Sequence, residues 1–243
     1  MKAKRSIILT GMPGSGKSEC GRALAEAISS GIFFDTDAII ESVTSTTISK
    51  LFEEKGESFF RSLENQLVDK MVEFSEPSKA REKEKDGSET IGETLESKLD
   101  KALTPLFESM SAGQLPIVST GGGLPIERDN MERLKRIGWT VFLDCKLETL
   151  TERLEGDQAR PLLKQNAESD EVPSSPDNTA QTNWAANNER IKLITALLRE
   201  REPIYRTADI TIDTSFHSPQ TLANLLDLKF SELTSSEDFE ETV

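Results

Sequence analysis

The sequence predicts an α/β fold, doubly wound, with a five-stranded parallel sheet between two helical layers. Three observations predict it. A short apolar run, Ser6 to Thr10, is followed by a glycine-rich turn, a helix-spaced segment and a second apolar run, which reads as a β-loop-α-β opening. Three later apolar runs, Leu115 to Thr120, Thr140 to Asp144 and Asp209 to Asp213, each follow a helix-like segment. The 243 residues, 35% of them hydrophobic, suffice for one sizeable core.

The elements follow in order. Ser6-Ile7-Ile8-Leu9-Thr10 reads as a buried strand, and Gly11 to Ser18 as the turn. Glu19 to Ser29 carries Ala23, Leu24, Ala27 and Ile28 at helical spacing, with Gly31 expected as the residue that ends the helix. Ile32-Phe33-Phe34-Asp35 is the second strand. Three stretches fit a compact core poorly. Residues 75–101 form a charged insertion with eight acidic and six basic side chains. Its first half reads as solvated loop, and its second half as an amphipathic helix through Ile91, Leu95, Leu99, Ala102 and Leu103. Pro105 is expected to begin or kink a following turn, with Thr104 as its cap. Lys164 to Asn188 reads as a mobile loop, and Phe230 to Val243, with five acidic residues and no basic one, as a frayed tail. No internal repeat is visible.

Composition narrows the function. Lys and Arg total 29 against 43 Asp and Glu, a net charge of −14. That balance argues against a nucleic-acid backbone or an anionic membrane as partner, though not against a small anion in a locally basic cleft. Cys20 and Cys145 do not make a disulfide framework, and a reducing cytoplasm is expected. His217 is the single histidine, which excludes a His-rich zinc site. No run reaches the ~18 apolar residues of a membrane span. The short stretch before Ser6 leaves no room for a targeting peptide in this sequence.

Gly11-Met12-Pro13-Gly14-Ser15-Gly16-Lys17-Ser18 fits G-x-x-x-x-G-K-[ST] at every defined position. In that pattern glycines let backbone N–H groups turn inward around a phosphate chain. The lysine reaches the β- and γ-phosphates, the hydroxyl holds Mg²⁺, and the next helix aims its dipole at the same anion. Asp35-Thr36-Asp37 stands at the carboxyl end of the second strand, the edge that faces the ligand crevice in an open sheet. Asp35 suits a water of the metal shell, and Asp37 suits a substrate hydroxyl whose proton it draws off. The competing reading is that one of the two merely caps the next helix.

From Ser6 to about Leu226, interrupted by two long loops, the chain resembles shikimate kinase. Beyond the motifs above, the matching residues are Gly56-Glu57-Ser58-Phe59-Phe60-Arg61-Ser62-Leu63-Glu64, Thr120-Gly121-Gly122-Gly123, Arg160-Pro161-Leu162-Leu163, Arg201-Glu202-Pro203-Ile204-Tyr205 and Ile212-Asp213-Thr214. The resemblance implies a P-loop kinase, a three-layer α/β/α domain over residues 1–243. Residues 36–74 would form its substrate-binding region, 75–101 the charged insertion, 153–190 an extended mobile lid and 231–243 an acidic tail.

The implied activity is transfer of the ATP γ-phosphate to the 3-hydroxyl of shikimate, with ATP and Mg²⁺ required. The implied catalytic residues are Lys17, Asp37 and Arg160. Gly14, Ser15, Gly16, Lys17, Ser18, Glu19, Arg153 and Arg160 would hold the nucleotide, Arg153 against adenine with the Asp213 to Pro219 segment opposite. Asp37, Arg61, Gly121, Gly122, Gly123 and Arg201 would hold shikimate, the two arginines clamping its carboxylate, and Ser18 and Asp35 would hold the metal. The implied protein is cytoplasmic, a monomer or weak dimer, with a small-molecule substrate and no nucleic-acid or membrane partner. Its Glu19 stands where the family frequently has Thr.

The chemistry agrees with these roles: phosphoryl transfer needs positioning and positive charge, and a planar guanidinium suits a carboxylate. Plainer readings compete at single positions. Arg61 would pair with Glu57 or Glu64 on a helix surface, Gly121 to Gly123 would be an ordinary turn, and Arg201 would lie on a solvated helix face. Tyr205 and Trp139 would only pack, and His217 and Cys20 would have no role. At the level of function, the alternatives are a kinase for another small hydroxy acid such as gluconate, or a catalytically inactive nucleotide-binding homologue.

Overall fold

The computed structural model describes residues 6–75, 94–154 and 179–237, with the side chains of 179–187 and 233–237 left aside. Five parallel strands, β1 (Ile7–Thr10), β2 (Gly31–Asp35), β3 (Leu115–Ser119), β4 (Trp139–Asp144) and β5 (Ile210–Asp213), stand in the order β2-β3-β1-β4-β5. In register, Ile8 lies opposite Val118 on one side and Thr140 on the other, so β1 is the central strand.

The strands read as continuous apolar runs because both sheet faces are covered. With a two-residue period, Ile7 and Leu9 face one layer and Ile8 the other. Ile7 and Leu9 pack with Leu24 of α1 (Lys17–Ala27) and Leu226 of α9 (Pro219–Glu237). Ile8 packs with Leu63 and Leu67 of α4 (Glu57–Ser75). It shares that cluster with residues of α2 (Thr36–Thr44), α3 (Ile48–Lys55), α5 (Leu95–Ser111) and α6 (Asn130–Ile137). A third cluster joins Phe142 to Leu150 and Leu154 of α7 (Leu147–Leu154) and to Ile194 and Tyr205 of α8 (Thr179–Tyr205). Each such leucine, wholly buried, contributes about 1.5–3 kcal/mol. Among the described residues no helix is long and apolar enough to cross a membrane.

The structure corrects four expectations about elements. Gly31 does not end α1: Ile28 caps it in extended conformation, and Gly31 opens β2. Residues 95–101, expected as the helical second half of the insertion, are indeed helix and form the first turns of α5, capped by Thr94, whose hydroxyl accepts from the Ser97 N–H at 3.1 Å. That helix continues through Pro105, so the proline does not begin a turn. Thr104 is not a cap but returns its hydroxyl to the Asp100 carbonyl at 2.9 Å, and burial of Leu103, Leu106 and Met110 outweighs the missing N–H. Residues 179–188, expected as loop, open α8, and 230–237, expected as frayed tail, continue α9, with Phe230 in the core. The rest of the charged insertion (76–93), of the expected lid (155–178) and of the tail (238–243) lies outside the described residues, and so does Arg160.

Candidate active site

The carboxyl ends of β1, β2 and β3 converge on a cavity of about 380 Å³. Gly14 to Glu19 line it with Asp35, Asp37, Ser119, Thr120, Gly122 and Arg153. The loop after β1 takes its shape from glycine: Gly14 (φ 81) and Gly16 (φ 89) are left-handed, a region that L side chains enter only with strain. Gly16 also serves as the residue before α1, whose first turn therefore opens onto the cavity. The Lys17 ammonium donates to the Gly11 and Met12 carbonyls at 3.0 and 2.8 Å, held at the loop's mouth. The Ser18 hydroxyl donates to Asp35 Oδ2 at 2.7 Å and lies 3.2 Å from the Ser119 hydroxyl.

Asp35 does two things. Its Oδ1 accepts from the N–H groups of Asp37 and Ala38 at 3.0 and 3.3 Å, so it caps α2, while its Oδ2 holds Ser18. The capping reading thus falls on Asp35, through Oδ1, while Oδ2 is engaged by Ser18. The cap sets the first turn of α2 and so places Asp37 on the cavity wall.

Beside this wall the segment after β3 is fixed on three sides. The Gly121 N–H donates to the Thr36 hydroxyl at 2.9 Å, Thr120 binds the Leu9 carbonyl through both its N–H and its hydroxyl, and the Tyr205 hydroxyl donates to the Gly122 carbonyl. Asn130, wholly buried, ties the segment's far end to α4 through Asn65. Glycine is required here by close approach. A Cβ on Gly121 would lie 2.5 Å from Asp37 Oδ1 and 3.0 Å from Glu64 Oε1, and one on Gly123 would lie 2.0 Å from Arg61 Nη1. The competing reading of an ordinary turn fails, because Gly121 and Gly123 are pressed against two carboxylates and a guanidinium.

Arg61 sits on α4 between Glu57 and Glu64, one turn away on either side. Its guanidinium donates to Glu57 Oε1 at 2.9 Å and to Glu64 Oε2 at 2.6 Å, and Glu127 lies 3.5 Å away. The helix-pair reading is therefore present, and with both acids at once. Burial alone would make Arg61 easier to deprotonate, but the two glutamates outweigh it and hold the guanidinium more firmly charged than usual. Glu64 is wholly buried, and burial pushes its carboxyl up to about 7 against the pull of Arg61, with Asp37 and Glu127 adding to the rise. Its Oε1 makes no hydrogen bond.

Arg201 does not lie on a solvated face: it is 6% exposed, with its Nε buried and unbonded. Tyr205, one turn on, does more than pack. Burial pushes its phenol up to about 12, and the charges of Arg201 and Arg61 pull the other way. Arg61 thus lies against Gly123, and Arg201 sits one turn before Tyr205, whose hydroxyl holds Gly122; neither arginine lines the phosphate-loop cavity itself. Arg153, expected against adenine, donates to the Thr214 carbonyl at 3.1 Å and to the Gly14 carbonyl at 3.4 Å, bridging the segment after β5 to the phosphate loop. His217, assigned no role from sequence, lines the same cavity. Cys20 is packed in the core, its thiol pushed up by burial to about 12.

Sequence reasoning assigned no function to Glu64, Tyr205 or Thr36. The signals were there: Glu64 stands three residues after Arg61 between apolar Leu63 and Leu67, Tyr205 is the only tyrosine, and Thr36 separates the two aspartates.

A phosphate loop on the central strand, an oxygen pair beside it and an acid–arginine cluster across the crevice are the parts of a P-loop small-molecule kinase. Comparison with known proteins narrows this. A family model for shikimate kinase matches residues 13–77 and 81–229. A shikimate kinase of Persephonella marina is 32% identical over 220 residues, covering 90% of this chain and 95% of that one. The structure of a shikimate kinase from Acinetobacter baumannii in complex with shikimate superposes with a TM-score of 0.62 at 27% identity, covering 94% of each chain. One from Bacteroides thetaiotaomicron also gives 0.62, at 26% identity over 93% of this chain and 98% of that one. The chain belongs to the shikimate kinase family.

Proposed function

We propose that this chain transfers the γ-phosphoryl group of MgATP to the 3-hydroxyl of shikimate. The single observation that carries the reading is the placement of Asp37. It lines the phosphate-loop cavity on one side and meets Gly121 and Glu64, beside Arg61, on the other. A molecule with both a hydroxyl and a carboxylate fits across that wall. Its hydroxyl would face Asp37 and its carboxylate the guanidinium groups of Arg61 and Arg201.

The residues present fit the nucleotide and the metal. Gly14, Ser15, Gly16 and the N–H groups of the first turn of α1, Glu19 included, would hold phosphates. The Ser18 hydroxyl and the Asp35 carboxylate, 2.7 Å apart, are the hard oxygen donors magnesium takes. When bound, the ion would neutralise charge on the transferring phosphates. Lys17 would shift from the loop's own carbonyls to the β- and γ-phosphates. Arg153, from the wall it shares with His217, would face the base, with the segment after Asp213 opposite. Arg160, in the stretch expected as a lid, would add positive charge at the γ-phosphate. Asp37 would orient the attacking hydroxyl and accept its proton as the new O–P bond forms and the bond to the ADP oxygen breaks. The Gly121–Gly123 backbone would lie against the ring.

The strong net negative charge supports a protein that works as a monomer or weak dimer on small molecules rather than on nucleic acid or membrane, and two free, buried cysteines, Cys20 and Cys145, support the cytoplasm. The test of the site is Asp37→Asn. Turnover of shikimate should fall about 10²–10⁴-fold while ATP binds as before, because the phosphate loop is untouched. Turnover at the parent rate would remove Asp37 from the chemistry.

A further inference from the structure

We propose that Glu64 couples acid binding to proton uptake: when an organic carboxylate binds the Arg61 guanidinium beside it, Glu64 accepts a proton from solvent instead of remaining charged. The inference rests on the functional reading above and extends it to a group that reading does not use.

Geometry comes first. Glu64 Oε2 holds Arg61 Nη1 at 2.6 Å, and that same nitrogen lies against Gly123, on the segment where the acid is expected. A carboxylate seated on Arg61 thus shares one guanidinium with Glu64 and brings a further negative charge close to it. Glu64 Oε1, wholly buried and without a hydrogen bond, lies at Gly121 beside Asp37. Glu64 therefore depends on Arg61 to offset its charge, a cation it would then share. The charged groups around it are Arg61 and Glu57 on its own helix, Asp37 from α2 and Glu127 from the segment after β3. From α8 come Arg201 and the Tyr205 hydroxyl. On α6, Arg133 is engaged two turns along α4, with Asp69. Acids outnumber bases in this ring, so a further negative charge on Arg61 falls hardest on the most buried carboxylate.

Burial already raises Glu64 to about 7 in this structure, so it is mostly ionised at pH 8 and mostly protonated at pH 6. An arriving carboxylate raises it further. The step balances: an ionised Glu64, a substrate carboxylate and one proton give a protonated Glu64 with the substrate carboxylate on Arg61.

The experiment is calorimetric titration of the full chain with shikimate in buffers of different ionisation heat, at pH 6 and pH 8. At pH 8 the buffer dependence should report uptake of more than half a proton per shikimate, and at pH 6 markedly less. Between those pH values the apparent Kd should weaken several-fold, up to tenfold per pH unit above about 7. Glu64→Gln, which mimics the protonated form, should bind shikimate with no proton uptake and an affinity flat across this range. A purely structural role for Glu64 would not produce that proton count. A buffer-independent heat at pH 8 in the unmodified chain would overturn the inference while leaving the function intact, and so would uptake that persists in Glu64→Gln. Absence of any shikimate heat at either pH, with ATP still bound, would overturn the functional reading itself and the inference with it.

Discussion

Arg61 Nη1 and Glu64 Oε2 lie 2.6 Å apart, one helical turn from each other, with the glutamate fully removed from solvent and the arginine nearly so. The pair makes Arg61 a fixed object. Its guanidinium is held by three acids and pressed on a glycine that admits no side chain. A rigid, pre-oriented fork binds a carboxylate with little further loss of side-chain freedom. Arg61→Ala should therefore weaken shikimate binding about 10²-fold or more while ATP binding stays within twofold. Equal loss of both ligands, measured by titration of each alone, would point to a misfolded chain and remove Arg61 from the clamp.

Asp35 caps α2 through Oδ1 and holds the Ser18 hydroxyl through Oδ2, and asparagine can fill the first of these roles. Asn caps helices about as well as Asp, so Asp35→Asn should melt within a few degrees of the parent. It has lost the charge offered toward the metal, so the Mg²⁺ concentration needed for half-maximal activity should rise about tenfold. An unchanged Mg²⁺ titration would leave Asp35 as a cap only.

Tyr205→Phe keeps the ring, which stacks on Phe142 with centroids 5.2 Å apart, and removes the donor to the Gly122 carbonyl. A buried acceptor left unmet costs about 1–3 kcal/mol. That loss should appear as a lowered melting temperature and as a several-fold higher KM for the acceptor, with KM for ATP unchanged. If both constants hold, Tyr205 serves packing alone.

Stability should carry the mark of Glu64. Its carboxyl stands at about 7 in the fold against an ordinary 4.5, so the folded chain holds a proton that the unfolded chain gives up. The resulting stabilisation is complete below about pH 4.5 and is lost as pH rises through about 7, on the order of 3 kcal/mol in all. Melting temperature should thus fall by several degrees between pH 5 and pH 8, and Glu64→Gln should flatten that slope. A slope that survives the substitution would belong to another group.

Much of this was legible in the sequence because parallel strands buried on both faces write themselves as apolar runs, and because Gly11 to Ser18 states its backbone conformation in glycines. Asp35 and Asp37 were legible from their position at a strand's carboxyl end. Other features depend on what lies far away in the chain. Leu103 and Leu106 carry α5 through Pro105 because α4 and the sheet wait to cover them, and local propensity at Thr104-Pro105 says the opposite. The helical start of α8 at Thr179 was hidden for a related reason: Ser, Asn and Ala around it show no amphipathic period. Glu64 looked like a surface partner of Arg61 by spacing, and only the burial around it makes it an unusual acid. Arg201, among charged neighbours, looked solvated, and only the fold turns it inward.

The most direct measurement of the central claim is ADP release by the purified chain with MgATP and, in parallel, shikimate, quinate, gluconate and nucleoside monophosphates as acceptors. The account predicts that shikimate alone gives rapid, saturable turnover. Turnover led by gluconate or by a nucleotide, or none with any acid while ATP binds, would contradict it.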